Sequence, residues 1–179
     1  MSHYTKRDYT HLKNIINDLY APKAHRLYHF PLVVDDLGNN SLNCKGHGSH
    51  FVLLDMCHKE WKKNIPNIMI CTSCDKTKSY DDLLATLAHE FGHFRSWQEG
   101  NHPTNEVAYH RYFSGYPFSH KTSQLVLTEE KLAWDYGFEL LDENEFDITP
   151  EILAIKKWAL GEYRRFAKKQ TQEYYSAKK

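Results

Sequence analysis

No hydrophobic run in this sequence approaches the length a bilayer span requires, so a helical membrane protein is not expected. The N-terminus, Met1-Ser2-His3-Tyr4-Thr5-Lys6-Arg7-Asp8, has no apolar run after its charges, and no secretory signal is expected. Net charge is missing as well. The 23 Lys and Arg balance 23 Asp and Glu, which removes any general attraction to nucleic acid or to an anionic membrane. Cysteine is scarce: Cys44, Cys57, Cys71 and Cys74 are all there is. Without a secretory signal, that number predicts reduced thiols in a cytoplasmic protein rather than a disulfide framework. No repeat and no Gly/Ser-rich linker divides the chain, so residues 1–179 are expected to form one domain with a real core.

Aromatic residues are plentiful, Tyr above all, and the apolar spacing alternates between helical and extended periods. A helix is predicted over about Tyr4 to Tyr20, with Leu12, Ile15, Ile16 and Leu19 inward and Pro22 ending it. Strands are predicted over Tyr28 to Asp35, His50 to Met56 and Asn67 to Cys71, with Pro31 and Pro66 near two of their starts. Cys57 to Lys63 and Asn105 to Phe113 read as short helices. Ser79 caps a helix running from Tyr80 to Gln98, with Asp81 and Asp82 at its positive end and Gly100 as its stop. Thr128-Glu129-Glu130 is read as the start of the next helix, and Thr149-Pro150-Glu151 as the start of the last. The last helix carries Ile152, Ile155, Trp158, Ala159, Tyr163 and Phe166 as its stripe and frays after Ala167. The expected class is α+β: a small, mostly antiparallel sheet packed on the Tyr80–Gln98 helix, with further helices C-terminal.

That helix contains His89-Glu90-Phe91-Gly92-His93. Residues four apart share a helix face, so both imidazoles can point at one ion. Glu90 is one step round from His89, within reach of a water bound there. This is the minimal kit for zinc-assisted hydrolysis. The surrounding Leu83, Leu84, Leu87, Ala88, Phe91 and Phe94 place the helix centrally rather than on the surface. Zinc hydrolases take three protein ligands and keep one open position. The third should be an acidic residue on a later helix. Glu130 is the candidate, because Ala133 and Gly137 follow it and let the helices approach. Glu129 and Asp135 compete, and an acidic pair at a helix start could equally serve the dipole.

The pattern of an apolar strand (Ile68-Met69-Ile70), a polar turn, Thr86-Leu87-Ala88-His89-Glu90-Phe91-Gly92-His93, and then Glu130-Lys131-Leu132-Ala133-Trp134-Asp135-Tyr136-Gly137 resembles the ImmA/IrrE-type gluzincin metallopeptidases. The resemblance covers roughly Asn67 to Leu141. It implies a zincin-like fold, His89, His93 and Glu130 as zinc ligands, Glu90 as general base, and a protein or peptide substrate such as a regulatory protein. One departure stands out. Trp134 occupies the place where the family pattern has Asn, and where thermolysin-like enzymes have an Asp that hydrogen-bonds a zinc histidine. An indole can only donate, so the acceptor for a ligand imidazole should be a backbone carbonyl, Asp135 or a residue of the 101–123 segment.

An oxyanion donor is sought among Tyr109, His110, Arg111, Tyr112 and Tyr116, with His110 first. The Phe51 to Leu54 strand could hold an extended substrate by pairing. Cys44, His47, Cys71 and Cys74 have ligand spacing for a second, structural zinc, but the simpler reading buries Cys71 at the end of its strand. His50 could reach the cleft, though a half-exposed hairpin face explains it as well. The basic residues Lys156, Lys157, Arg164, Arg165, Lys168 and Lys169 read as a solvated helix face, and nucleic acid is not the expected partner. The competing functional class is a regulatory protein that keeps the zinc site without turnover.

Overall fold

A computed structural model of the chain describes residues 3–24, 31–35, 50–55, 64–71, 79–101 and 117–178. The first helix, α1 (Lys6–Ala24), opens with a reciprocal cap in which the Thr5 amide donates to Asp8 and the Asp8 amide to the Thr5 hydroxyl. Tyr9, Leu12 and Ile16 go into the core. Leu19, expected inward, is exposed instead. Pro22 does not end the helix where it stands. The helix runs on through it to Ala24.

Three strands follow: β1 (Val33–Asp35), β2 (His50–Asp55) and β3 (Asn64–Ile70). Their order is β1-β3-β2, with β3 central. β3 pairs parallel with β1 and antiparallel with β2, so the sheet is mixed and the expected mostly antiparallel arrangement is corrected. The reason is that β3 inserts between its two predecessors. The chain reverses twice and arrives beside β1 in the same direction. The most apolar segment, Ile68-Met69-Ile70, takes the position with a neighbour on each side. Pro66 is tolerated within β3. The Ile68 amide donates to Leu32 on the β1 side, so by alternation the Pro66 nitrogen faces that side too. Pairing with β1 begins only at Ile68, and no β1 carbonyl there waits for a donor.

Helix α2 (Tyr80–Gln98) begins as its sequence predicts. Ser79 and Asp82 form a reciprocal capping box. At the other end Gly100 adopts φ 74°, a left-handed conformation that suits glycine, and the chain turns away. Leu83, Leu84, Leu87, Ala88, Phe91 and Phe94 are all buried. Helix α3 (His120–Glu143) starts well before the predicted position, with Ser119 rather than Thr128 as its cap. Helix α4 (Pro150–Ser176) begins at the predicted Thr149 cap. It does not fray there: Ala167 and Gln170 are buried, and Ala167 joins Phe118 and Val126 in a second apolar cluster. Trp158 leaves the predicted stripe and is 66% exposed. Lys156 is not part of a solvated basic face either. It pairs with Asp135 at 2.9 Å and lies over the Phe138 ring.

The chain is thus α+β and mostly helical, with the main core formed where α1, α2, α3, α4 and the sheet meet around Leu84, Leu87, Phe91 and Leu140. The sulfur of Cys71 is in a disulfide, which corrects the expectation of reduced thiols at that residue. Its partner lies outside the described residues, as do Cys44, His47, Cys57 and Cys74. A thiol so engaged cannot act as a zinc ligand, which counts against the second, structural site. Among the described residues no helix is long and apolar enough to cross a membrane.

Candidate metal centre

Two glycines and two alanines decide how closely α2 and α3 approach. A Cβ on Gly92 would fall 1.8 Å from the Ala133 carbonyl oxygen, and one on Gly137 would fall 2.5 Å from the Ala88 carbonyl oxygen. The two helix backbones touch at both points, one on either side of His89. Any larger residue at Gly92 or Gly137 would hold the helices apart. On the outer side of the same interface Arg95 bridges Glu99 and Glu139 and lies over the Tyr136 ring.

This contact carries Glu130 to the histidines. Glu130 Oε2 lies 3.3 Å from His89 Nε2 and 3.5 Å from His93 Nε2. One ligand atom from each of the three residues falls within 4.8 Å of the others. All three side chains are buried, Glu130 to 1% exposure. The carboxylate oxygen takes no well-aligned hydrogen bond from either ring, and it sits between them as an ion-pair partner. It does fit a shared cation. Donors held at ~2.1 Å in a tetrahedral array stand ~3.4 Å apart, the separation Glu130 Oε2 keeps from both nitrogens.

Glu129, Glu130's neighbour in the chain, has a different task. Its Oε1 accepts from His93 Nδ1 at 3.1 Å and its Oε2 from the Ser96 hydroxyl at 2.9 Å. That bond keeps a proton on Nδ1, so the nitrogen that a cation would use by displacing a proton is Nε2, which faces Glu130. Here is the acceptor that Trp134 could not supply. The sequence points to Glu129 as a rival ligand or a partner of the helix dipole, not as this acceptor, and Asp135 is engaged with Lys156 and Lys131 instead. Ser96 also went unread. Its signal was its position three residues after His93, on the same helix face. Since α3 begins at His120, neither Glu129 nor Glu130 lies in a first turn, and the dipole explanation for the pair is removed.

The electrostatics point the same way. Burial works against a charged His93, but Glu130, then Glu129 and Glu90, outweigh it and push the imidazole up to about 10. Burial would raise Glu130, yet His93 and His89 beside it hold that carboxyl far below the usual range. Three carboxylates converge on two imidazoles in a buried place, and the balance calls for a positive charge. Glu90 is itself buried and close enough to act on His93. His89 is held differently. The Trp134 indole stacks on its ring with centroids 4.5 Å apart and planes inclined by 24°.

His110 and the other proposed oxyanion donors, Tyr109, Arg111, Tyr112 and Tyr116, lie outside the described residues, as does the side chain of His50. The backbone of Phe51 to Leu54 forms an edge of the sheet among the described strands. Compared with family models, with curated proteins and with solved structures, the chain gives no match.

Proposed function

We propose that this chain is a zinc-dependent peptidase of the zincin type, in which His89, His93 and Glu130 hold one zinc ion and Glu90 is the general base. The observation that carries the reading is the placement of one buried Glu130 oxygen at 3.3 and 3.5 Å from the two Nε2 atoms, the spacing of donors around a shared cation, without a well-aligned hydrogen bond to either. Nitrogen and oxygen donors in a set of three match a catalytic rather than a structural zinc site, which would close with a fourth ligand. When bound, zinc supplies a Lewis acid that polarises a carbonyl and acidifies water towards ~7.

The residues divide the rest of the work. Glu129, itself held by Ser96, would fix the His93 ring through Nδ1 so that Nε2 is the nitrogen turned to the metal. Glu90, next to His89 on the same helix, accepts a proton from the attacking water at its carboxylate and passes it to the leaving nitrogen. The apolar flank of α2 excludes bulk water from behind the site and keeps the carboxylates in a low-dielectric setting. An extended segment of a protein substrate pairs along β2 as an added strand. The ImmA/IrrE-type resemblance belongs to this proposal. Its support is the junction of the His89–His93 helix with a Glu-x-x-Ala segment on a second helix, and a regulatory protein is the substrate class it implies. A cytoplasmic site of action and independence from nucleic acid are part of the same reading.

Glu90→Gln tests it. Zinc content by atomic spectroscopy should stay at one per chain while cleavage of an unfolded protein substrate falls by at least about a thousandfold. A wild type that retains no zinc after dialysis against the free ion would sink the proposal. Zinc retained by a wild type that cleaves none of a broad peptide library would favour the non-catalytic regulatory class instead.

A further inference from the structure

His93 and His89 face the same carboxylate, but their far sides differ. His93 Nδ1 meets Glu129. His89 Nδ1 is buried without a hydrogen-bond partner among the described residues. An imidazole that offers its Nε2 lone pair carries its proton on Nδ1, and a ligand histidine ordinarily gives that proton to an acceptor that fixes the ring. The second torsion of a histidine side chain is otherwise broad. Something else must set the plane of His89.

The Trp134 indole is in place to do so. It lies against the His89 ring nearly parallel, at 4.5 Å between centroids, and is 3% exposed. Its own orientation is held by an edge contact with Phe138 at 6.0 Å and 86°. Its Nε1 has no hydrogen-bond partner among the described residues, so the indole is not anchored there for a polar purpose of its own. The close contact of Gly137 with Ala88, one residue before His89, presses Trp134's helix onto this ring.

We propose that Trp134 is the positioning residue of His89, its flat face holding the imidazole in the ligand orientation where a hydrogen-bond acceptor would otherwise stand. This deepens the zinc-site reading and rests on it. Rotation of the His89 ring out of its plane would drive ring atoms into the indole, so the stack restricts the ring without contributing a polar atom. The chain therefore holds its two imidazoles by two physical devices: a charge-assisted hydrogen bond at His93 and a ring stack at His89.

The test compares zinc affinity, by competition with a chelator, and the visible spectrum of the cobalt-loaded protein for wild type, Trp134→Phe and Trp134→Met. Phe keeps a flat face, and Met fills much of the space without one. Trp134→Phe should bind zinc within about threefold of wild type, whereas Trp134→Met should lose about tenfold or more and show an altered cobalt spectrum. Equal affinity and an unchanged spectrum in all three proteins overturn the positioning role alone. Equal losses in Phe and Met overturn it too, because they indicate a need for indole volume rather than a stacked face. A wild type that binds neither metal overturns the site itself. Should the variants fail to fold, proton NMR of the metal-free wild type decides. Stacking under the indole shifts the His89 ring protons upfield, and ordinary unstacked positions would end the proposal.

Discussion

Glu129 and Glu130 are adjacent in the chain, both buried, and they meet the same two-histidine face from different directions. One helical step turns a side chain by ~100°, so the pair cannot share a task. Glu130 presents an oxygen to two Nε2 atoms, and Glu129 reaches past to His93 Nδ1 and Ser96. Replacing Glu129 separates orientation from charge. Glu129→Gln can keep both hydrogen bonds, with the amide oxygen accepting from His93 and the Ser96 hydroxyl turned to accept from the amide nitrogen. Glu129→Leu leaves a buried N–H and a buried hydroxyl unmet. The leucine variant should lose ~10–100-fold in zinc affinity and the glutamine variant markedly less, measured by chelator competition. Leucine binding as tightly as wild type would show that Glu129 does not orient His93.

The two helices of the candidate site show what could be read locally and what could not. The bounds of α2 were legible because its signals are local and agree: a capping box at Ser79 and Asp82, a buried apolar run, and Gly100 at φ 74°. The start of α3 was misread because Thr128-Glu129-Glu130 has every feature of a capped first turn. The true cap, Ser119, opens a first turn that has no acidic residue. The two glutamates are acidic for the sake of the histidines across the interface, a tertiary cause that no local signal distinguishes from dipole compensation. Ala133 and Gly137 are legible as small residues after the candidate ligand Glu130, but their counterparts Gly92 and Ala88 only make sense once the helices are seen together. Gly92→Ala puts a methyl carbon into the Ala133 backbone, where nothing can rotate away. It should destabilise the protein by ~1–3 kcal/mol or more in urea unfolding and weaken zinc binding, since Glu130 is less than a turn from Ala133. Gly161, in the middle of α4, meets nothing within 4 Å, and Gly161→Ala should stabilise by ~0.4–1 kcal/mol with zinc affinity unchanged. Wild-type stability and zinc affinity in Gly92→Ala would remove the close approach as a requirement.

At the scale of the whole molecule, strand positions were readable from β-branched and apolar runs, but the sheet order was not. Pairing partners are chosen by burial across the sheet, and β1 is only 3 residues long. What ties this short strand to the rest is a polar cluster that periodicity does not reveal. The Tyr9 hydroxyl donates to Asp35, Lys13 pairs with the same carboxylate, and Asn17 accepts from the Val33 amide, so three side chains of α1 grip β1. Burial, then the hydrogen bond to Asp35 and its charge, raises the Tyr9 phenol above its ordinary value. In the unfolded chain that phenol ionises near ~10, so above that pH the folded state holds a proton the unfolded state has lost. Stability from this group is therefore complete below ~10 and falls as pH rises beyond it, at up to ~1.4 kcal/mol per pH unit. Tyr4, pushed up to about 12, adds to the same loss. Tyr20 and Tyr136 are raised as well, and Tyr9→Phe removes one contribution of this kind. Between pH 10 and 11 its stability should decline less steeply than that of wild type, from a starting value lower by ~1 kcal/mol because Asp35 has lost a donor. Urea unfolding at a series of pH values measures both quantities. Identical slopes in the two proteins would mean that the Tyr9–Asp35 bond does not persist in solution, and α1 would then be held on the sheet by Lys13, Asn17 and its apolar face.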